Sequence, residues 1–301
     1  MHDPSVPATS GRGREIALLT NPASGKGKGA RYRDAAVRRL RDSGFVVRNL
    51  QGRDADEATD LAHGCVADRV EGLIVCGGDG TVHLAVQALA GTGVPLGIIP
   101  AGSGNDVARY FDLPRTDPVA AADRVVASRR RTVDLARSGD RYFLTVMAAG
   151  FDAVVNERAN AMSWPRGQMR YNLATLAELR TFRPIAYTLA LDGETLHTEA
   201  MLVAVGNGPS FGGGLRITEG ALLDDGLLDV VVITRMSRPK LVRSYPRLFT
   251  GRIDGLAEHV HRRVRSVTIS APGIVTYADG ERFGPLPLTV ECAPGALEVI
   301  S

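Results

Sequence analysis

Short apolar segments alternate with amphipathic segments through the first half of the chain. The apolar segments have the length of buried strands and cover residues 15–20, 45–50, 72–76 and 95–100. Between them, apolar residues recur at helical spacing in residues 31–42, 57–66 and 82–89. This alternation predicts a parallel, doubly wound sheet covered by helices.

The pattern changes after residues 112–118, where two prolines interrupt the chain. One more helix is predicted at 119–127, and helical spacing then recurs only in residues 152–162, 170–182 and 241–249. The other segments have strand character and adjoin Gly- and Asp-containing turns; they are 132–136, 142–147, 185–191, 195–205, 227–234, 266–270 and 288–292. The predicted fold class is therefore α/β plus β, with a Rossmann-like α/β domain followed by an antiparallel β-sandwich-like domain.

We expect a disordered tail at 1–13, a nucleotide-binding α/β domain at 14–133 and a β-rich substrate domain at 134–301. The tail is polar and lacks the apolar stretch of a signal peptide. No apolar run approaches the roughly 20 residues that cross a bilayer. These features predict a cytoplasmic protein whose membrane contact is peripheral at most.

The net charge and the cysteine content limit the classes of protein to which this chain could belong. The net charge of +3 does not require nucleic acid as a partner, and the three cysteines are too few and too scattered for a disulfide framework or a zinc site. Arginine greatly outnumbers lysine, which a GC-rich genome explains. An alternative is that the arginine clusters at 129–131 and 262–265 contact anionic lipid.

Three glycine-rich turns follow predicted strands of the first half. Residues 21–29 (NPASGKGKG) lack the Walker A pattern, and they are read either as a phosphate-binding loop or as a flexible turn. Residues 100–106 (PAGSGND) suit phosphate or ribose contacts, or equally a helix cap. Residues 77–81 (GGDGT) give the strongest signal, because an Asp beside phosphates at a helix N-terminus suits Mg²⁺. All three turns should meet at one edge of the sheet.

An ordered set of motifs resembles the diacylglycerol kinase catalytic family, which is related to sphingosine kinases. The matching segments are NPxSG at 21–25, GGDGT at 77–81, GSGND at 102–106, GNG at 206–208 with FGGG at 211–214, DDGLLD at 224–229 and DGE at 279–281. The resemblance implies an ATP-dependent lipid kinase that transfers the γ-phosphate to a lipid hydroxyl and uses Mg²⁺.

The resemblance also implies roles for individual residues. It identifies Glu281 as the proton acceptor and Asp79 as a second catalytic residue. A metal ion is expected at Leu222, Asp225 and Leu227, partly through backbone carbonyls. The residues expected to bind the nucleotide are Asn21, Ser24, Gly25, Gly77, Gly78, Asp79, Gly80, Thr81, Gly102 and Ser103.

The tripeptide Asp-Gly-Glu occurs twice, at 192–194 and at 279–281. Asp-Gly is a preferred hairpin turn, so local sequence does not separate the two copies. Only the order of the family motifs favours Glu281 as the base and leaves Glu194 as an ordinary turn residue.

The chain departs from the family pattern after GGDGT. The family usually continues with x-Asn-Glu, whereas this chain has Val82-His83-Leu84. We expect His83 to be a surface or capping residue. Residues 51–53 (QGR) also lack the Thr often found there, so one nucleotide contact could be missing.

The expected partner is a lipid substrate at the membrane surface, with no nucleic acid; a homodimer is left open. The alternatives are a kinase of a sphingoid base, of NAD or of another soluble alcohol, and a nucleotide-binding regulator without turnover.

Overall fold

The computed structural model describes residues 14–21, 29–150, 155, 158, 161–162, 164, 183–248, 250–253 and 255–301. Ser24 and Gly25 lie outside the described residues, as do the predicted tail, the helix at 170–182 and most of the helix at 152–162.

The first half is the predicted parallel sheet. Its four strands lie in the order β2-β1-β3-β4 and all pair in parallel. The strands are β1 (Glu15–Thr20), β2 (Val46–Leu50), β3 (Leu73–Gly77) and β4 (Leu96–Pro100). The helices are α1 (Gly29–Asp42), α2 (Ala55–Ala67), α3 (Asp79–Leu89), α4 (Asp106–Tyr110) and α5 (Pro118–Ala127).

Strand periodicity divides the core of this half into two layers. In β1, Ile16 and Leu18 pack with α1 and α5, whereas Ala17 and Leu19 pack with α2, α3 and α4. Successive side chains of a strand point to opposite faces, so an uninterrupted apolar strand fills both layers. This arrangement explains why β1, β3 and β4 are nearly continuous apolar runs, whereas β2 at the edge of the sheet contains Arg48 and Asn49.

The second half consists of antiparallel strand pairs, as predicted. Its strands are β5 (Arg130–Ser138), β6 (Arg141–Phe143), β7 (Val146–Gly150), β8 (Ile185–Leu191), β9 (Glu194–Gly206), β10 (Leu228–Thr234), β11 (His259–Val264), β12 (Ser266–Ser270), β13 (Val275–Ala278), β14 (Glu281–Pro285) and β15 (Leu288–Ile300). One described helix, α6 (Arg238–Leu248), packs beside them. Strand β7 supplies Met147 and Ala149 to one apolar layer and Val146 and Ala148 to the other.

The last strand links the two halves. β15 pairs in antiparallel fashion with β12 and β5, and its residue Val299 pairs in parallel with Leu96 of β4. Val299 and Ile300 are buried in the two core layers of the α/β half. The strands therefore form one continuous sheet, and the division of the chain at residue 133 stays a prediction. Among the described helices, none is long and apolar enough to cross a membrane.

Candidate active site

The loops after β1, β3 and β4 lie side by side at the carboxyl edge of the parallel sheet. The Asn21 amide donates to the Cys76 carbonyl at 3.3 Å, and the Ala101 amide donates to the Gly77 carbonyl at 2.8 Å. The predicted convergence of the glycine-rich turns therefore holds for their described parts. Open α/β sheets bind their ligands at this edge.

Two of the loops approach each other so closely that only glycine fits. A Cβ on Gly102 would lie 2.5 Å from the Cα of Gly78. Asn105 fixes the turn, because its Oδ1 accepts from the Gly102 amide at 3.0 Å and its Nδ2 donates to the Gly102 carbonyl at 2.9 Å. Ser103 is exposed at the tip of this loop.

Helix α3 begins at Asp79, three residues earlier than predicted. The extended residue Gly78 takes the N-cap position, and no side chain caps the helix. Asp79, Gly80 and Thr81 therefore form its first turn. The Thr81 amide already donates to the Gly78 carbonyl at 3.0 Å, so the Asp79 and Gly80 amides and the positive end of the helix dipole are what favours an anion there.

Asp79 and Asp106 form a close pair of carboxylates. Asp79 Oδ1 accepts from the Asp106 amide at 2.7 Å, and Asp106 Oδ2 accepts from the Gly213 amide at 2.6 Å. Burial and the neighbouring charge of Asp106 raise the pKa of Asp79 to about 6, against the lowering effect of backbone amides. Burial likewise raises the pKa of Asp106.

Asp106 was not among the predicted site residues. Its buried Oδ1 has no hydrogen-bond partner among the described residues, and the closest cation is Arg109, whose Nε lies 3.8 Å away. Two carboxylates with raised pKa values, one carrying an unsatisfied oxygen, fit the hard oxygen ligands that Mg²⁺ prefers. The sequence signal was available, since Asp106 ends the GSGND motif, but it was read only as a helix cap.

The second Asp-Gly-Glu tripeptide brings Glu281 to the same edge. A Cβ on Gly80 would lie 2.9 Å from Glu281 Oε1, so this carboxylate lies directly over the first turn of α3. Asp279 and Gly280 form the β13–β14 turn with φ values of 52° and 87°, the left-handed pair of a type I′ hairpin. The assignment of Glu281 as the base stays a prediction.

Glu194 occupies an equivalent turn in a different place. Asp192 and Gly193 have φ values of 46° and 98°, and Asp192 accepts from the Arg265 and Ser266 amides. Both tripeptides thus form the same kind of hairpin anchored by its Asp. Only Glu281 lines the cleft beside the glycine-rich loops.

That cleft has a volume of about 540 Å³. One wall is the start of α3, and the opposite wall is the loop between β2 and α2, including Gly52 and Arg53. Glu281, Arg282 and Arg141 close it from the β-rich half. The cleft is therefore lined both by predicted phosphate-binding residues, including Gly78, Gly80 and Thr81, and by the predicted base Glu281.

The expectation that His83 is a surface or capping residue is wrong. Its side chain is only 5% exposed, and its Nδ1 lies 3.0 Å from Asp279 Oδ2. His83 lies four residues after Asp79, so helical spacing puts both on one face of α3 and turns His83 toward the β-rich half. No local feature of the chain indicates this contact, because the partner of His83 lies 196 residues away.

The predicted metal site at Leu222, Asp225 and Leu227 lies away from the cleft lining. Asp225 Oδ1 accepts from the Leu227 amide at 3.1 Å, and Oδ2 is paired with the Arg263 guanidinium. Arg263 thus neutralises this carboxylate in the structure, and the metal ion expected at Leu222, Asp225 and Leu227 stays a prediction. In the part of the chain that the structure describes, no group of three or more His, Cys, Asp or Glu side chains is arranged to hold a metal ion.

These features define a class of protein in which an α/β half is joined to an NAD kinase-like β-sandwich. Residues 15–138 match the diacylglycerol kinase catalytic domain, and residues 145–301 match the YegS C-terminal NAD kinase beta sandwich-like domain. The chain belongs to the diacylglycerol kinase family and is a kinase by that membership.

Individual relatives agree with this assignment. The chain is 45% identical over 292 residues to a diacylglycerol kinase of Mycobacterium tuberculosis, covering 95% of this chain and 94% of the relative. A diacylglycerol kinase structure from Bacillus anthracis superposes with a TM-score of 0.73 at 22% identity, covering 96% and 97% of the two chains. An ATP complex of an NAD kinase from Archaeoglobus fulgidus has a TM-score of 0.54 at 15% identity, covering 95% and 93%. Both structures support the fold.

The raised pKa of Asp79 predicts how its removal changes stability. Between about pH 4 and 6 the unfolded chain releases this proton and the folded chain retains it, so Asp79 makes folding less favourable as pH rises through that window. The Asp79→Asn variant lacks this ionisation, so its stability relative to wild type should increase as pH rises. We expect the difference in Tm to grow by at least roughly 2–4 °C between pH 4 and pH 7.

Calorimetry of the ligand-free proteins tests this, with Asp60→Asn as the control. Asp60 is exposed on α2, so its substitution controls for the general effect of replacing a carboxylate by an amide. Parallel pH curves for Asp79→Asn and wild type would contradict the raised pKa.

Proposed function

We propose that this protein is an ATP-dependent lipid kinase that transfers the γ-phosphate to the hydroxyl of a diacylglycerol-like lipid, giving phosphatidic acid. The observation that carries the proposal is the position of Glu281, whose carboxylate lies over Gly80 in the first turn of α3. A phosphate bound at that turn would have a carboxylate within reach of the hydroxyl that attacks it.

The start of α3 supplies the phosphate site. The amides of Asp79 and Gly80 and the helix dipole attract the phosphates, and the close packing of Gly78 on Gly102 leaves no side chain between the two loops. Asp79 and Asp106 would hold Mg²⁺, which supplies charge neutralisation to the phosphates when bound. Positioning and charge compensation account for most of the catalysis of phosphoryl transfer.

Glu281 is the group best placed to accept the proton of the acceptor hydroxyl. As the hydroxyl oxygen forms its bond to the γ-phosphorus, the bond from phosphorus to the bridging oxygen breaks and ADP leaves. The hydroxyl proton passes to the Glu281 carboxylate, which is exposed to the cleft. A base acts in the transition state, so this carboxylate should contribute to kcat more than to nucleotide affinity.

A lipid is favoured over NAD as the acceptor. The NAD kinase neighbour shares only the fold, whereas the 45% identical relative is named a diacylglycerol kinase. A regulator without turnover would have no need of the Glu281 carboxylate in the cleft or of the Asp79 and Asp106 pair at the edge of the sheet. ATP, Mg²⁺ and a membrane lipid are accordingly the proposed cofactors and substrate.

The duplicated tripeptide provides a matched test of this proposal. Glu281→Gln should lower kcat for lipid phosphorylation by about 10²–10⁴-fold, because the proton acceptor is lost. Glu194→Gln removes the same charge from the same type of turn and should stay within a few-fold of wild type. The measurement is transfer of label from γ-labelled ATP to diacylglycerol in vesicles, with the Kd for ATP determined for each variant.

The assignment of Glu281 is wrong if Glu194→Gln is the inactive variant, or if Glu281→Gln retains near-normal kcat. A large loss of ATP affinity in Glu281→Gln would instead indicate a role in binding.

A membrane substrate requires a membrane-facing surface, and α6 is the best candidate for it. Arg243 and Arg247 lie four residues apart on α6, are exposed, and have no acidic partner among the described residues. Beside them Val242 is 51% exposed, a large apolar side chain among cations. A basic helix with exposed apolar side chains suits an anionic lipid surface.

Two observations connect α6 with other parts of the molecule. Leu241 of α6 shares an apolar cluster with Met162, and Trp164, two residues further along the chain, is 77% exposed. Phe211 and Leu215 belong to the same cluster, and Gly213 between them donates to Asp106. The proposed membrane face thus adjoins the active site through residues 211–215.

The arginine clusters noted in the sequence are weaker candidates for this contact. Arg130 pairs with Glu298, Arg131 pairs with Asp224 at 2.7 Å, and Arg263 pairs with Asp225. Three of the six arginines in the two clusters are thus paired with an acidic residue of the protein, which favours the compositional explanation.

Charge reversal on α6 should weaken binding to membranes. The double variant Arg243→Glu, Arg247→Glu should lose at least about tenfold in affinity for vesicles that contain phosphatidylglycerol, since each cation near such a surface contributes about 1 kcal/mol. Arg38→Glu, Arg41→Glu is the control, because both residues are exposed on α1 and form no described ion pair. Equal losses in the two variants would indicate a general charge effect and contradict the assignment to α6.

A further inference from the structure

The turn that carries Glu281 is held by a fully buried carboxylate. Asp279 Oδ1 accepts from the Thr145 amide at 2.8 Å and from Thr145 Oγ1 at 2.6 Å. Its Oδ2 accepts from the Leu144 amide at 3.0 Å and lies 3.0 Å from His83 Nδ1. Burial alone would raise the pKa of Asp279, but these hydrogen bonds outweigh it and hold the pKa below its ordinary value.

The four donors come from different parts of the molecule. Three belong to residues 144–145, between β6 and β7, and thus to the same β-rich half as the turn itself. The fourth, His83, belongs to α3, the helix that begins at Asp79. Among the described residues, His83 is the one side chain of the α/β half that bonds this carboxylate.

The neighbouring turn of α3 adds a second contact between the halves. Gln87 Nε2 donates to the Tyr142 carbonyl at 2.8 Å, and the Tyr142 amide donates to Gln87 Oε1 at 3.0 Å. His83 and Gln87 lie four residues apart, so two successive turns on one face of α3 are hydrogen-bonded to the β-rich half. Only the His83 contact reaches the turn that carries Glu281.

We propose that His83 is a positioning residue, which acts through Asp279 to fix the distance between the phosphate site at Asp79 and the proton acceptor Glu281. The inference rests on the proposed function of those two residues. Loss of this contact would let the turn and α3 separate while leaving each intact. Since a displacement of about 1 Å at a reacting centre costs up to about a hundredfold in rate, the effect should fall on kcat.

Three variants separate this role from ordinary structural support. His83→Leu removes the donor from α3 and keeps an apolar side chain of similar size. His83→Asn keeps an amide donor and restores the residue that the family usually has there. Thr145→Val removes a donor from the same carboxylate, but from within the β-rich half.

We expect His83→Leu to lower kcat for lipid phosphorylation by about ten- to a hundredfold, with the KM for ATP within about threefold of wild type. His83→Asn should recover kcat to within a few-fold of wild type. Thr145→Val should lower Tm with little change in kcat, because it leaves the α3 contact in place. The proposal is overturned if His83→Leu and Thr145→Val lower kcat and Tm alike, or if His83→Asn is as impaired as His83→Leu.

Hydrogen exchange tests the role of His83 independently of lipid phosphorylation. In wild type, ATP with Mg²⁺ should protect both the start of α3 and the turn at 278–282. His83→Leu should keep the first protection and lose the second. If wild type phosphorylates no lipid, the proposed function fails, and the role of His83 is then judged from the exchange result alone. Protection of both segments in His83→Leu would overturn the inference about His83.

Discussion

The Asp279 carboxylate is the constraint around which the candidate site is built. A buried carboxylate without partners is costly, so its oxygens must be satisfied wherever the chain places them. Here the donors come from residue 83 and from residues 144–145, and the carboxylate itself sits at a left-handed position of a hairpin. Satisfying this one group aligns α3, the β6–β7 connection and the turn that carries Glu281. Together with the Gln87–Tyr142 and Asp106–Gly213 hydrogen bonds, this buried charge holds the proposed nucleotide-binding edge opposite the proposed proton acceptor.

Carboxylates lie both at the carboxyl edge of the parallel sheet and on the hairpin. Burial and the charge of Asp106 raise the pKa of Asp79, burial raises the pKa of Asp106, and Glu281 lies over Gly80 from the hairpin. Carboxylates with raised pKa values have much to gain from a divalent cation, which would neutralise both them and the phosphates of a nucleotide. A bound cation would thus reconcile these acids with the proposed phosphate site.

Much of the fold followed from sequence, and the failures share one cause. The parallel sheet was predictable because β1, β3 and β4 are buried on both faces and helices of regular spacing alternate with the strands. The glycine-rich turns were predictable because carboxyl ends of parallel strands meet at one edge. His83, by contrast, was expected at the surface, since nothing near it in sequence indicates a partner in β13–β14. Asp106 was read as a cap for the same reason, because its role depends on Asp79 and on Gly213. The choice between Glu194 and Glu281 likewise rested on family order, as both form the same turn locally.

The most direct test of the account is to identify where the γ-phosphate goes. Purified wild-type protein would be incubated with γ-labelled ATP, Mg²⁺ and, in separate reactions, vesicles containing diacylglycerol, vesicles containing a sphingoid base, and NAD in solution. The account predicts that label appears in phosphatidic acid and that the other two acceptors remain essentially unlabelled. Label in NAD alone, or ATP binding with no labelled product from any acceptor, would contradict it.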